Sequence, residues 1–106
     1  MRPGRYVLCM IRHVVMFTFR EDATEAQIGE AVAALAELAT LVPTVRAFRL
    51  GRDIGVNEGN FHLAVTADFD DVEGYLTYRD HPEHLRVIRE KGAPVVASRS
   101  AVQFEF

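Results

Sequence analysis

A single cysteine, Cys9, is the only thiol in this 106-residue chain. That excludes an internal disulfide and any multi-cysteine metal site, and a reducing cytoplasm fits best. Positive charge is not in surplus. The net charge is −3, which leaves no basic footprint for nucleic acid. No apolar run has the length needed to cross a membrane. The first nine residues are too short to hold a signal peptide with its apolar stretch and cleavage site. No glycine-rich phosphate loop, dinucleotide fingerprint or Ser-His-Asp order occurs, so no cofactor is expected. No metal is expected either. His81 and His84 lie three apart, but no third ligand stands out. Repeats, low-complexity tracts and interdomain linkers are also missing.

What is present suits one small domain. Apolar residues make up 49% and charged residues 25%, a globular composition with enough length for one modest core. Residues 1–9 read as an unstructured extension, or translation starts at Met10, and the domain is expected over 10–106. Ile11 to Phe19 is rich in β-branched and aromatic residues and predicts a strand. Its two faces carry His13, Val15, Phe17 and Phe19, and Arg12, Val14, Met16 and Thr18. Thr24 and Gln27 form a capping box that opens a helix running to about Leu41, with Pro43 helping to stop it. Val45 to Arg52 is a second, weaker strand. A loop over 53–60 follows, then a strand from Phe61 to Phe69. Asp70 or Asp71 caps a helix over 72–79, weakened by Gly74. Pro82 opens another helix to about Lys91, with Leu85 and Ile88 as its buried positions. Val102, Phe104 and Phe106 alternate in a closing strand.

The order β-α-β-β-α-β is the ferredoxin-like pattern, an α+β fold with helices over one face of a four-stranded antiparallel sheet. The other face would show Val14, Met16 and Ala64, and nothing left in the chain covers it. Burying such a valine or methionine contributes roughly 1.5–3 kcal/mol, so a second copy is the simplest cover. The expectation is a homodimer with two sheets face to face.

Chemistry concentrates between Tyr78 and His84, in Tyr-Arg-Asp-His-Pro-Glu-His. A histidine exchanges protons near neutral pH. A tyrosine hydroxyl holds a developing oxyanion. His84 is a candidate general base with Tyr78 as its hydroxyl partner, or it simply bonds a backbone carbonyl in the first turn of the last helix. His13, on an apolar strand face with Val15 and Phe17, is either a satisfied core group or a pocket group. Tyr75 is core or pocket wall. His81 reads as a helix cap, and Asp80 and Glu83 as first-turn acids.

These segments together resemble the Dabb family, the stress-responsive dimeric α/β-barrel domains. The resemblance rests on Ile-Arg-His-Val-Val-Met-Phe-Thr-Phe (11–19), Thr-Glu-Ala-Gln (24–27), Val-Pro-Thr-Val-Arg-Ala-Phe-Arg-Leu-Gly-Arg (42–52), Asp-Phe-Asp-Asp (68–71) and the 78–84 segment. It covers about 10–106 and implies a dimeric barrel. One branch consists of polyketide cyclases, in which a tyrosine and the second histidine of His-Pro-x-His act on a poly-β-keto chain. Tyr78 and His84 match those positions, and His13 matches a pocket histidine of strand one. A further histidine of that branch has no counterpart. His62 falls one residue out of register, and Leu63 takes the matching place.

Three readings follow. One is cofactor-free acid/base chemistry, such as aldol cyclisation, on a small hydrophobic or aromatic compound. The second is a non-catalytic, stress-associated ligand-binding dimer. The third is a cofactor-free monooxygenase. The site expected for all three has Tyr78 and His84 as catalytic groups and His13, Val15, Phe17 and Tyr75 as binding groups.

Overall fold

A computed structural model describes residues 9–106. The expected extension over 1–9 therefore lies, Cys9 aside, outside the described residues. The elements are β1 (Ile11–Phe19), α1 (Glu25–Leu41), β2 (Ala47–Arg52), β3 (Leu63–Phe69), α2 (Val72–Arg79), α3 (Pro82–Val87), a π-helical turn (Ile88–Gly92) and β4 (Val96–Glu105). The sheet order is β2-β3-β1-β4, antiparallel throughout. This is the ferredoxin-like arrangement. No helix among the described residues is long and apolar enough to cross a membrane.

Local chemistry explains the boundaries. The Thr24 hydroxyl accepts from the Gln27 amide at 3.1 Å, and the Gln27 side chain accepts from the Thr24 amide at 2.9 Å. That satisfies two orphan N–H groups at the start of α1. Asp71 caps α2 by accepting from the Gly74 amide at 2.8 Å. His81 caps α3 by accepting from the Glu83 amide at 3.1 Å, and Pro82 occupies the first turn. Gly74 is buried, with its Cα facing Phe69 and Thr44. α2 rests on β3 here, and Thr44 donates to the Gly74 carbonyl at 2.8 Å.

Three expected boundaries move. β2 starts at Ala47 and β3 at Leu63, each two residues later than the pattern suggested. β4 starts at Val96, well before Val102. Its first half is Ser98, Arg99 and Ser100, exposed polar residues on an edge strand that give no apolar alternation. The expected burial of Leu85 and Ile88 is also corrected. They are 47% and 49% exposed, and Val87 is the α3 residue that enters the core. The helix gives way to the π-turn at Ile88, closed by the Ala93 amide donating to the Ile88 carbonyl. Leu85 and Ile88 do share a face, but that face borders a cavity.

β1 alternates as its sequence suggested. Ile11, His13 and Val15 are buried under the helices, while Met16 on the other face is open. Two apolar clusters fill the helix–sheet layer. The larger joins Ile11, Leu38, Val42, Ala67, Phe69, Tyr78 and Val87, and the smaller joins Ile28, Ala31 and Val95. Each large side chain removed from water there contributes roughly 1.5–3 kcal/mol. A cavity of about 590 Å³ takes walls from both clusters and so divides the core.

Candidate active site

Every site residue expected from the sequence lines this cavity. His13, Val15 and Phe17 come from β1, Tyr75 and Tyr78 from α2, and His84 from α3. Parity on β1 places the first three on one face. Spacing of three places the two tyrosines on one side of α2. The His81-Pro82 joint then turns the chain so that His84 folds back over Tyr78, with ring centroids 4.3 Å apart. His13 lies 5.1 Å from Tyr75 and 6.2 Å from Tyr78 by the same measure. Phe69 backs both tyrosines from below, at 5.7 and 5.3 Å.

Hydrogen bonds fix the proton positions on both imidazoles. His84 Nδ1 lies 2.9 Å from the carbonyl oxygen of Arg79. A carbonyl only accepts, so Nδ1 carries the proton and Nε2 keeps its lone pair. The backbone-carbonyl bond and the place in the cavity, weighed above as rivals, are both present. At His13 the polarity is reversed. The Gln103 amide nitrogen donates to Nδ1 at 2.9 Å, which leaves the proton on Nε2.

Burial sets the charge states. It holds His13 down to about 4, helped by the nearby positive charge of Arg99 and by His84. Burial also lowers His84. The bond to the Arg79 carbonyl opposes this, Arg99 and His81 lower it further, and Asp80 raises it. Both imidazoles are thus held toward the neutral form. Burial, with Tyr75 beside it, pushes the Tyr78 phenol up to about 12, so it stays protonated. No buried side-chain N or O among the described residues lacks a hydrogen-bond partner. The Tyr78 hydroxyl bonds no other described residue, so its oxygen opens onto the cavity.

His62 is elsewhere. Its Nδ1 accepts from the Phe19 amide at 2.8 Å, and Leu63 takes the cavity wall at that level. His81 is occupied as the α3 cap. Among the described residues no cluster of three or more His, Cys, Asp or Glu is placed to hold a metal. Two groups were missed, Arg99 and Gln103 of β4. Their register partners are Phe17 and His13, so they share the helix-facing side. Strand parity from Val102 and Phe104 already placed Gln103 on this side, and it would have added Arg99 had β4 been started at Val96.

A ferredoxin-like α+β protein with a mostly apolar cavity edged by two neutral imidazoles and a protonated phenol defines the class. The chain belongs to the family of the stress responsive A/B barrel domain, whose model matches residues 11–106. A dimeric ferredoxin-like protein of unknown function from Thermobifida fusca is 33% identical, with a TM-score of 0.85 and all of both chains covered. Olivetolic acid cyclase from Cannabis sativa is 28% identical over 78 residues, 71% of this chain and 76% of that protein. A hydroxynitrile lyase from Passiflora edulis shares the fold at 18% identity, with a TM-score of 0.83 over 94% of this chain and 95% of that one.

Proposed function

We propose that the cavity carries out cofactor-free acid/base chemistry on a small hydrophobic compound rich in carbonyl groups, and that the protein works as a homodimer. The observation that carries the reading is the tautomer of His84. With Nδ1–H held by the Arg79 carbonyl, a basic Nε2 lone pair is left on a ring whose centroid is 4.3 Å from that of Tyr78, and the Tyr78 hydroxyl is protonated and free to donate. The similarity to olivetolic acid cyclase supports a cyclisation, and the match of Tyr78 and His84 to the polyketide-cyclase pattern supports its aldol version.

The steps balance without a co-reactant. His84 Nε2 removes a proton from a carbon flanked by two carbonyls, and the electron pair becomes an enolate. Tyr78 donates a hydrogen bond to the oxygen where negative charge collects. The enolate carbon attacks a second carbonyl of the same chain, so a C–C bond forms and a C=O π bond becomes an alkoxide. The alkoxide takes the proton back from the imidazolium, which restores His84. The apolar walls hold the chain folded near this geometry.

The sheet face away from the helices supports the dimer. Val102 pairs with Val14 across β4 and β1, beside Met16, Phe104 and Ala64, and Met16, Val102 and Phe104 are 38–54% exposed in the single chain. The Thermobifida relative is described as dimeric.

The test is turnover of a linear poly-β-keto chain, supplied as the thioester and as the free acid, followed by chromatography and mass spectrometry. His84→Ala should lower kcat by about 10²–10⁴-fold and Tyr78→Phe by about 10²–10³-fold. His62→Ala, outside the cavity, should leave it nearly unchanged. The acid limb of the rate should fall below pH 6.5, since His84 must be neutral to act and its pKa is lowered. Binding without turnover would favour a ligand-binding dimer. Oxygen uptake with an aromatic substrate would favour a monooxygenase.

A further inference from the structure

Arg99 is the one charged group of the cavity wall with no ionic partner among the described residues. Arg12, Arg20, Arg46, Arg52, Arg79, Arg86, Arg89 and Lys91 each sit within 3.5 Å of a carboxylate oxygen. Arg49, also unpaired, lies on the opposite side of the sheet in a separate hollow. The cavity's own acid, Asp80, is already neutralised by Arg79 through contacts of 2.8 and 3.0 Å. With both imidazoles neutral, the wall keeps one net positive charge inside a chain whose formal charge is −3.

The placement of that charge is specific. Arg99 pairs with Phe17, Ala101 with Val15 and Gln103 with His13. Side chains two apart on a strand stand about 7 Å from one another, so Arg99 and Gln103 bracket the small Ala101 over an apolar floor. A guanidinium presents a planar fork that fits a carboxylate through two parallel hydrogen bonds.

We propose that Arg99 is a specificity residue that recognises a carboxylate, so that the cavity's ligand is an apolar chain or ring ending in an acid group. The inference rests on the reading of this cavity as the binding site and names the substrate class for it. The acid end lies on Arg99 and the apolar body lies along Val15 and Phe17. The reacting carbonyls lie toward His84 and Tyr78.

Calorimetric titration with 4-butylbenzoate and with 4-butylbenzamide tests it, because the two differ in charge and hardly in shape. The full-length chain should bind the acid at least about tenfold more tightly than the amide. Arg99→Gln should bring the two within about twofold while leaving amide affinity unchanged. Arg99→Lys, which keeps the charge and loses the fork, should fall between. Arg49→Gln should change nothing. Equal binding of acid and amide, no binding of the acid, or a preference that survives Arg99→Gln would overturn the proposal. The readout needs no turnover, so a cavity that binds acids without reacting them would sink the catalytic reading alone. Turnover with no preference for acids would sink only this one.

Discussion

The two faces of the sheet handle polar groups in opposite ways. Under the helices, burial lowers the pKa of both His13 and His84, against the opposing pull of the Arg79 carbonyl at His84, and each ring bonds a neutral partner, Gln103 or that carbonyl. On the far face, Arg12 and Asp68 form an ion pair joined by bonds of 2.7 and 2.8 Å, with the guanidinium also 4.4 Å from the centre of the Phe106 ring. Neutral imidazoles keep an available lone pair and a low desolvation cost. A bidentate ion pair commits its two charges to one another, and it fixes geometry on the surface that carries it. On the proposed reading, one face exchanges protons and the other makes contacts.

The largest effect expected from breaking this division lies on the far face. Val102→Glu puts an unpaired charge among Val14, Met16 and Phe104. Self-association should weaken by about 10³-fold or more, read as a shift to the single-chain mass in light scattering. Binding of the benzoate probe should survive, because no cavity side chain is touched. Loss of both together would mean that the two faces are not independent.

A smaller effect belongs to the cavity face and follows from its neutral histidines. The unfolded imidazole of His13 takes a proton near 6.5 and the folded one only near 4. As pH falls from 6.5 to 4 the unfolded chain gains a proton that the folded chain refuses, so stability drops across that window. The loss is about 3 kcal/mol from this residue, and His84 acts in the same direction. Urea unfolding at several pH values measures it. His13→Gln should flatten the slope, and an unchanged slope would show that the acid sensitivity comes from elsewhere.

The smallest effect lies where α2 rests on β3. A Cβ built on Gly74 meets Asp71, Phe69 and Thr44 at 3.4–3.5 Å, ordinary contact distances. Gly74→Ala should therefore raise stability by about 0.5–1 kcal/mol through lower backbone entropy in the unfolded chain. A fall in the midpoint would show that the α2–β3 contact has no room to spare, and ligand binding is then the next quantity to measure.

The comparison also explains what could be read from the residues. β1, α1 and α2 announce themselves because their apolar periodicity and caps agree with their burial, and the cluster of His13, Tyr75, Tyr78 and His84 follows from placing those elements in a ferredoxin-like order. β4 was legible only in its apolar half. Ser98, Arg99 and Ser100 are exposed on an edge strand, where pairing with β1 and not burial makes the strand. That gap concealed Arg99, which lies before the stretch that could be recognised as strand, whereas Gln103 lay inside that stretch, opposite Val102 and Phe104 in parity, and its residue type alone did not mark it. Leu85 and Ile88 misled for a related reason. Their spacing identified a shared face, but whether that face meets core or cavity depends on packing that spacing does not encode.

The group that orients His84 is the main chain of residue 79. Where an enzyme holds a histidine with an aspartate, one base change can erase the aspartate. Here every amino acid at position 79 supplies the same carbonyl oxygen. Drift at that position can recolour the surface through Arg79's side chain while the imidazole keeps its proton on the same nitrogen. Only a change in the path of the backbone between α2 and α3, for instance at Pro82, would set it loose.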